Sequence, residues 1–257
     1  MSGAGPSDAA PSRRMPGALL ALSPGTLRGG RGFDGILAAL ERAVDAAVQG
    51  GLRSLMLREP FLEDGETLAL GLRLSSVLRG AAGGASTWFA IHDRVHLAGE
   101  LGADGVHLGG RSLPPAEARN VLDGAPVAIG LSAHAGDDPR ASEAVDYAFH
   151  SPVFPPTSKE KGGGPAVGPS GLRAFAESSP VPVWALGGID AEAIRSLGNH
   201  GGHAGVALIG SLWGTDAVPL GPGRHGPLGD LAGIRGRTED LAAAAFEVLG
   251  SPRETSD

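Results

Sequence analysis

Short apolar segments alternate with longer amphipathic segments about eight times along the chain, and this order constrains the fold more than any other feature. Each apolar segment has the length of a strand, and most of the intervening segments space their apolar residues as a helix does. A strict strand–helix order predicts parallel strands joined by crossover helices. In a chain of 257 residues, eight such units predict a single-domain α/β fold, the (β/α)8 TIM barrel.

The bounds of these elements follow from the apolar pattern. We predict strands over Ala18–Leu22, Ser54–Leu57, Thr87–Ile91, Gly105–Leu108, Pro126–Gly130, Tyr147–Phe149, Pro182–Leu186 and Gly205–Ile209. We predict helices over Phe33–Gln49, Thr67–Leu78, Pro114–Leu122, Pro139–Val145, Gly171–Glu177, Ala191–Leu197 and Thr238–Leu249, with one more that begins near Asp93.

The two ends of the chain differ from the barrel in composition. Residues 1–17 are rich in Ala, Pro, Ser and Gly and predict a disordered leader. Residues 18–213 form the predicted barrel. Within residues 214–257, the Gly- and Pro-rich stretch 218–236 predicts a loop, the last helix closes the barrel, and the tail after Gly250 frays.

Charge and composition exclude several classes of function. The net charge of −7 argues against a nucleic-acid partner, which needs clustered Lys and Arg. The chain has no cysteine, so disulfides, thiolate metal sites and cysteine nucleophiles are excluded. Without an apolar run of the roughly 20 residues that span a bilayer, we expect no membrane partner and a cytoplasmic location.

A phosphate site is predicted where the last two strands end. In TIM barrels, function lies in the loops that follow the strands, and the loops after strands seven and eight often bind phosphate. Here these loops are Gly-rich, with Gly187 and Gly188 after strand seven and Gly210 and Ser211 after strand eight. Their backbone N–H groups could hold a phosphorylated ligand, and the alternative is that the glycines only make tight turns.

Other loops at the same end of the barrel carry polar side chains, and each of these has two interpretations. Arg58 after strand two suits an anion, or forms a surface salt bridge with Glu59 or a neighbour. Asp93 after strand three suits a ligand site, or caps a helix. His107 in strand four alternates with its apolar neighbours, which favours a buried, hydrogen-bonded histidine over a site residue.

Two polar positions follow strand five, and a long loop follows strand six. Ser132 and His134 both lie where a substrate would be exposed, and histidine is the side chain best suited to proton transfer near neutral pH. The loop from Ser151 to Pro165 contains Ser, Thr, Lys and several glycines. Its composition favours a lid that folds over an anion, against the alternative of a solvated loop.

Several segments, taken in order, resemble one enzyme family. They are LREP, IHDRVHLAGELGADGVHLGGRSLP, IGLSAH, SPVFPPTSKEKGGGPAVG, ALGGI and GVALIGSLW, between Leu57 and Trp213. Together they resemble the thiamine phosphate synthase/TenI superfamily. The resemblance implies a (β/α)8 barrel that binds thiazole phosphate. Synthases join hydroxymethylpyrimidine diphosphate to thiazole phosphate with Mg²⁺, whereas TenI-type members include tautomerases that make the thiazole ring aromatic by moving a proton.

The chain matches only part of the synthase pattern. Arg58, Asp93 and Lys159 match its arginine, its first Mg²⁺ carboxylate and its final lysine, and Ser158 replaces a threonine by another hydroxyl. The replaced positions are Met56 for Gln, Pro60 for Lys, His92 for Asn, Ser112 for the second Mg²⁺ carboxylate and Pro156 for Thr. A diphosphate leaving group needs cations and metal, so these replacements favour binding of a monophosphate without diphosphate chemistry.

The resemblance therefore favours a TenI-type thiazole tautomerase with His134 as the general acid and base. The predicted substrate-binding residues are Arg58, Asp93, Ser132, Ser158, Lys159, Gly187, Gly188, Ile209 and Gly210. We expect a small phosphorylated thiazole as the ligand and no cofactor, and a homodimer is one option for the assembly. Two alternatives stay open. One is a Mg²⁺-dependent synthase in which His92 and Lys161 replace the lost donors, and the other is a non-catalytic ligand-binding or regulatory barrel.

Overall fold

The computed structural model describes residues 12–155, 164–198, 202–214 and 226–250. Eight parallel strands close into a barrel in the order of the sequence, so that β1 pairs with both β2 and β8. The strands are β1 Leu19–Leu22, β2 Ser54–Leu57, β3 Trp88–His92, β4 Gly105–Leu108, β5 Ala128–Ala133, β6 Tyr147–His150, β7 Val183–Leu186 and β8 Gly205–Leu208. The predicted single-domain (β/α)8 TIM barrel is confirmed.

The helices cover the outside of the barrel. They are α1 Phe33–Gln49, α2 Asp64–Ala81, α3 Ala98–Leu101, α4 Pro115–Val121, α5 Gly168–Ser178, α6 Ala191–Leu197, α7 Gly210–Trp213 and α8 Leu231–Leu249. Two predicted helices are smaller or tighter than expected. The helix near Asp93 is a 3₁₀ turn followed by the four residues of α3, and Pro139–Ala144 is a 3₁₀ helix.

Strand alternation divides the core into two layers. Side chains of one set, among them Ile91, Val106 and Ile129, pack with the helices. The other set fills the barrel interior and includes Tyr147 and Phe149. Successive residues of a strand point to opposite faces, so each strand sends every second side chain into the interior, and the last of these on each strand faces the mouth of the barrel.

The amino-terminal end of the barrel is closed by residues 12–17, which the sequence assigns to a disordered leader. The indole N–H of Trp88 donates to the Arg14 carbonyl at 3.0 Å, and that of Trp184 donates to the Gly17 carbonyl at 3.0 Å. Arg14 also pairs with Asp104 at 2.9 Å. This part of the leader is therefore bound to the barrel, whereas residues 1–11 lie outside the described part of the chain.

The closing helix begins earlier than predicted. Residues 231–236 were assigned to the Gly- and Pro-rich loop, but α8 begins at Leu231 because the Asp230 carboxylate accepts the N–H of Gly233 at 3.0 Å and caps the helix. Gly50 at the end of α1 lets α8 approach closely, since a Cβ there would lie 2.6 Å from the Arg235 carbonyl oxygen. Residues 215–225 and the tail 251–257 lie outside the described residues.

None of the helices in the described ranges is long and apolar enough to span a membrane.

Candidate functional site

Polar residues converge where the strands end at their carboxyl side, as in other TIM barrels. Strand β3 ends one residue later than predicted and β5 three residues later, which brings His92 and Ser132 into the sheet. The register places His92 beside His107, and Ser132 beside Phe149. Polar side chains from neighbouring strands therefore share one mouth of the barrel.

The rim formed by β7 and β8 offers free backbone donors. Leu186 lies beside Ala207 in the register, so the turns that follow both strands leave the barrel next to each other. The backbone N–H groups of Gly187, Gly188, Ile209 and Gly210 donate to no acceptor among the described residues. The hydroxyl of Ser211 is buried and has no partner within the same ranges. Such a cluster of unpaired donors suits an anion.

The glycines of this rim also have a structural reason to be glycine. Gly187 and Gly188 have φ values of 95° and 63°, which side chains with a Cβ rarely adopt. A Cβ on Gly187 would lie 2.7 Å from the Pro152 Cα, and one on Gly188 would lie 2.7 Å from the Pro155 carbonyl oxygen. The tight-turn interpretation therefore holds here, and it leaves the amides free rather than competing with their use for a ligand.

His134 follows β5 directly, and a neighbouring loop fixes its ring. Its Nδ1 lies 2.9 Å from the Ser151 carbonyl oxygen and 3.2 Å from the Ser151 hydroxyl. A carbonyl oxygen only accepts, so in a neutral ring Nδ1 carries the proton and Nε2 keeps its lone pair. The backbone N–H of His134 donates to the Asp137 carboxylate at 2.7 Å, which holds the turn.

His107 is the buried, hydrogen-bonded histidine that strand alternation predicts. Its side chain is 1% exposed, and its Nε2 lies 2.9 Å from the hydroxyl of Ser132. Its Nδ1 faces the hydroxyl of Tyr147. Burial above all, with a smaller electrostatic effect of Arg58, lowers the pKa of His107 well below its usual value, so the ring is neutral. The predicted ligand residue Ser132 is thus tied to the barrel interior.

Asp93 does not cap a helix, which corrects one of its two predicted readings. Its φ is 58°, and the residue that precedes the 3₁₀ turn is Arg94, also with a positive φ of 31°. The Asp93 carboxylate contacts His92 Nδ1 at 3.2 Å and accepts a hydrogen bond from the Ser112 hydroxyl. These contacts, His92 first, lower the pKa of Asp93 to about 2. Two consecutive left-handed residues are the kind of backbone strain found at functional sites.

The cluster of His92, Asp93 and Ser112 offers a Mg²⁺ ion a single carboxylate, which is already hydrogen-bonded. Magnesium in enzymes is usually held through one or two carboxylates together with substrate phosphates. Here Ser112 contacts the only carboxylate of the cluster, and its hydroxyl also accepts the Gly109 N–H at 2.6 Å. Among the residues that the structure describes, no three His, Asp or Glu side chains lie close enough together to hold a metal.

Arg58 does not form the predicted salt bridge with Glu59. The Glu59 carboxylate is 2% exposed and accepts the N–H groups of Gly25 and Leu27 at 2.8 and 2.9 Å. Burial raises the pKa of Glu59. The Arg58 guanidinium lies instead close to Gly25 in the loop after β1, which leaves its donors available to a ligand.

Three predicted residues lie outside the described ranges, and two residues that shape the site were missed. Ser158, Lys159 and Lys161 fall within residues 156–163, together with most of the predicted lid. Tyr147 and Ser151 were not singled out, although both contact a histidine of the site. Tyr147 had a signal, because alternation in strand six places it on the same side as Phe149.

Comparison with known proteins agrees with this geometry. Residues 32–212 match the model of the family described as thiamine monophosphate synthase. A thiamine-phosphate synthase of Archaeoglobus fulgidus is 34% identical over 178 residues, which cover 68% of this chain and 80% of that protein. A putative thiamine-phosphate synthase of Geobacter sulfurreducens is 39% identical over 171 residues, which cover 66% of this chain and 77% of that protein.

A solved structure is similar over most of its length. The thiamine phosphate pyrophosphorylase of Pyrococcus furiosus superposes with a TM-score of 0.68 at 26% identity, covering 90% of this chain and 96% of that one. The names of these relatives favour the synthase alternative over the tautomerase that the sequence analysis places first. The TenI-type branch is not distinguished by these matches. At the level that they do establish, the chain belongs to the thiamine monophosphate synthase family of thiamine-biosynthesis enzymes.

Proposed function

We propose that this barrel binds a carboxylated thiazole phosphate and catalyses a 1,3-proton shift that makes the ring aromatic. The observation that carries the proposal is the pairing of His134 with the Ser151 carbonyl oxygen at 2.9 Å. This contact leaves Nε2 as a proton acceptor at the mouth of the barrel. Within the described cluster of His92, Asp93 and Ser112 there is one carboxylate, where a Mg²⁺-dependent diphosphate reaction would use two.

The proposed reaction needs only one acid–base group. His134 Nε2 removes the proton from one ring position of the thiazole and becomes protonated. It then returns a proton to a second position, so that the overall change is an isomerisation without a leaving group. Neither step needs a metal to neutralise a departing diphosphate.

The remaining site residues would hold the substrate in place. The free N–H groups of Gly187, Gly188, Ile209 and Gly210 bind the phosphate, and Arg58 and Ser132 contact the rest of the substrate. Ser158 and Lys159, outside the described ranges, remain proposed contacts from the loop after β6. The bound phosphate fixes the thiazole beside His134, because a proton transfer needs the two groups within hydrogen-bond reach.

The test is an aromatisation assay with the full chain and its His134→Ala variant. His96→Ala is a matched control, because His96 is an exposed histidine that pairs with Asp64 at 2.9 Å on the outside of the barrel. We expect loss of rate in His134→Ala and no change in His96→Ala. Equal rates in the wild type and His134→Ala would remove His134 from the mechanism, and no rate above background in the wild type would remove the activity.

The second candidate is thiamine-phosphate synthase activity, and the names of the relatives favour it. In that reaction Arg58, His92 and Lys161 would have to neutralise the diphosphate that the lost lysine and carboxylate handle in the family pattern. Product formation from hydroxymethylpyrimidine diphosphate and thiazole phosphate that depends on added Mg²⁺ would establish this function and displace the tautomerase.

A further inference from the structure

A chain of three hydrogen-bonding side chains runs through the barrel interior to the mouth. The Tyr147 hydroxyl lies 3.3 Å from His107 Nδ1, and His107 Nε2 lies 2.9 Å from the Ser132 hydroxyl. Phe149 stacks on the His107 ring with centroids 4.0 Å apart, and Trp184 meets the Tyr147 ring edge-on. Because Tyr147 and His107 are buried in this aromatic packing, water does not compete for their hydrogen bonds.

The direction of the chain follows from the inventory of donors. Burial raises the pKa of Tyr147 well above its usual value, so the phenol keeps its proton. Its one hydrogen-bond partner within the described residues is His107. If Nδ1 carried the ring proton, the buried phenol proton would have no acceptor, which is unfavourable. Tyr147 therefore donates to Nδ1, and the neutral ring of His107 carries its proton on Nε2.

This tautomer of His107 also sets the hydrogen bonding of the Ser132 hydroxyl. Its oxygen accepts the Nε2–H of His107, so its own hydroxyl proton points away from His107 and is free to donate. Ser132 is partly exposed at the carboxyl end of β5, whereas His107 and Tyr147 are closed to ligands. A ligand atom that accepts this hydrogen bond, above all an anionic oxygen, is therefore favoured at this place.

Gly130 leaves the space in which the Tyr147 and His107 side chains meet. Gly130 lies beside both His107 and Tyr147 in the register of the sheet. A Cβ there would lie 2.2 Å from Tyr147 Cζ and 2.5 Å from His107 Nδ1. Any larger residue would push the two rings apart, so the contact between them depends on a glycine at this position.

We infer that Tyr147 and His107 are positioning residues that fix Ser132 as a hydrogen-bond donor and thereby select an anionic oxygen of the ligand at the end of β5. On the proposed function, on which this step rests, the phosphate occupies the rim of β7 and β8. The oxygen at Ser132 is then one from the substrate carboxylate. A thiazole phosphate that lacks the carboxylate forfeits this contact.

The direction of the hydrogen bonds from Tyr147 through His107 to Ser132 can be measured without any ligand. Nitrogen NMR of the full chain with ¹⁵N-labelled histidine distinguishes the two neutral tautomers, and contacts with Phe149 protons identify the His107 signal. We expect the Nε2–H tautomer, and the Nδ1–H tautomer would overturn the inference. The chain has one tyrosine, so its Raman doublet reports on Tyr147 alone and should show a hydrogen-bond donor. A phenol that accepts instead would likewise contradict it.

The selection is tested by calorimetric titration with carboxylated and carboxylate-free thiazole phosphates. We expect the wild type to prefer the carboxylated ligand, and Ser132→Ala to reduce that preference roughly tenfold, as for a lost hydrogen bond to a charged group. Tyr147→Phe, which keeps the ring and removes the hydroxyl, should reduce it roughly threefold. An unchanged preference in both variants would overturn the inference.

Trp88→Phe is the matched control for the second experiment. Trp88 packs edge-on against Tyr147, but its indole donates to Arg14 at the other end of the barrel. We expect the ligand preference and the His107 tautomer to be unchanged in this variant, and a loss equal to that of Tyr147→Phe would reduce the effect to general core packing. If the wild type binds neither thiazole, the proposed function fails, and the tautomer alone decides the direction of the chain.

Discussion

The two halves of the barrel mouth present different hydrogen-bonding groups, backbone amides in one half and side chains in the other. The rim of β7 and β8 presents backbone N–H groups at Gly187, Gly188, Ile209 and Gly210 that have no acceptor in the described ranges. The rim of β2 to β4 presents side chains instead, and three of them, His92, Asp93 and Ser112, are already bonded to one another. The first rim is open to an anion, whereas the second uses its carboxylate internally.

Because of this difference, the two rims respond differently to substitutions of their side chains. A backbone donor survives any substitution that preserves the turn, so the monophosphate site can persist while the side chains around it change. A diphosphate and Mg²⁺ site depends on carboxylates and cations, and in the family pattern that the resemblance implies, Ser112 stands where a second carboxylate would be. The rim of β7 and β8 therefore depends on backbone conformation, and the rim of β2 to β4 depends on the identity of its side chains.

The largest effect is expected at His134, between the two rims. General acid–base groups contribute about 10²- to 10⁴-fold to rates, so His134→Ala should reduce kcat for aromatisation by about that factor. KM should change little, because the phosphate contacts lie on other strands. Steady-state kinetics measure both constants, and a rise in KM at constant kcat would assign His134 to binding instead.

The next largest effect tests the backbone rim. Gly188→Ala places a Cβ 2.7 Å from Phe154 Cβ and forces a φ of 63° on a residue that disfavours it, so the amides should move. We expect affinity for thiazole phosphate to fall by roughly tenfold or more, as for loss of a charge-assisted hydrogen bond. Gly35→Ala, where a Cβ meets no atom within 4 Å, is the control. Calorimetric titration measures these affinities. Equal affinities of Gly188→Ala and the wild type would argue against a phosphate site formed by the backbone amides.

A smaller effect tests the side-chain rim. Ser112→Asp restores a second carboxylate beside Asp93 and should tighten Mn²⁺ binding by roughly three- to tenfold, since affinity follows the number of charged ligands. Ser112→Asn has a similar size and no charge, and serves as the control. Electron paramagnetic resonance of Mn²⁺ measures the bound fraction. If the wild type binds Mn²⁺ as tightly as Ser112→Asp, the side-chain rim already holds a metal.

The smallest effect concerns the pH dependence of stability. The pKa of Asp93 is about 2 in the folded protein against 3.8 as a free group, so its contribution is present above 3.8 and is lost as pH falls towards 2. Because its side chain is 47% exposed, we expect less than about 1 kcal/mol. Urea unfolding of the wild type and Asp93→Asn should differ more at about pH 6 than at about pH 3. A difference that grows on acidification would contradict this assignment.

The fold was predictable from the sequence because strand and helix patterns alternate without interruption. The errors arose where local composition and tertiary contacts disagree. Gly233 and Gly236 indicate a loop, yet α8 includes them because Asp230 caps it and α1 packs against it. Arg14 lies in a segment whose composition predicts disorder. Its guanidinium nevertheless pairs with Asp104, and its carbonyl accepts the indole N–H of Trp88 at the amino-terminal end of the barrel.

The placement of the candidate site residues around one end of the barrel was predictable, but their hydrogen bonds were not. The loops after the strands and the glycines of the rim follow from fold and spacing alone. The contact of His134 with Ser151 joins two loops 17 residues apart, and the contact of His107 with Tyr147 joins strands 40 residues apart. Such pairings depend on barrel closure and register. A helix cap was one of two interpretations of Asp93, and the left-handed backbone that rules it out is set by the loop rather than by the residue type alone.

The choice between the two reactions is decided in one mixture containing carboxylated thiazole phosphate, hydroxymethylpyrimidine diphosphate, Mg²⁺ and the full chain. Product analysis follows both aromatic thiazole phosphate and thiamine phosphate, with and without a chelator. We expect aromatic thiazole phosphate to accumulate at the same rate in both conditions and no diphosphate to be released. Thiamine phosphate that forms with Mg²⁺ and disappears with the chelator would contradict this expectation.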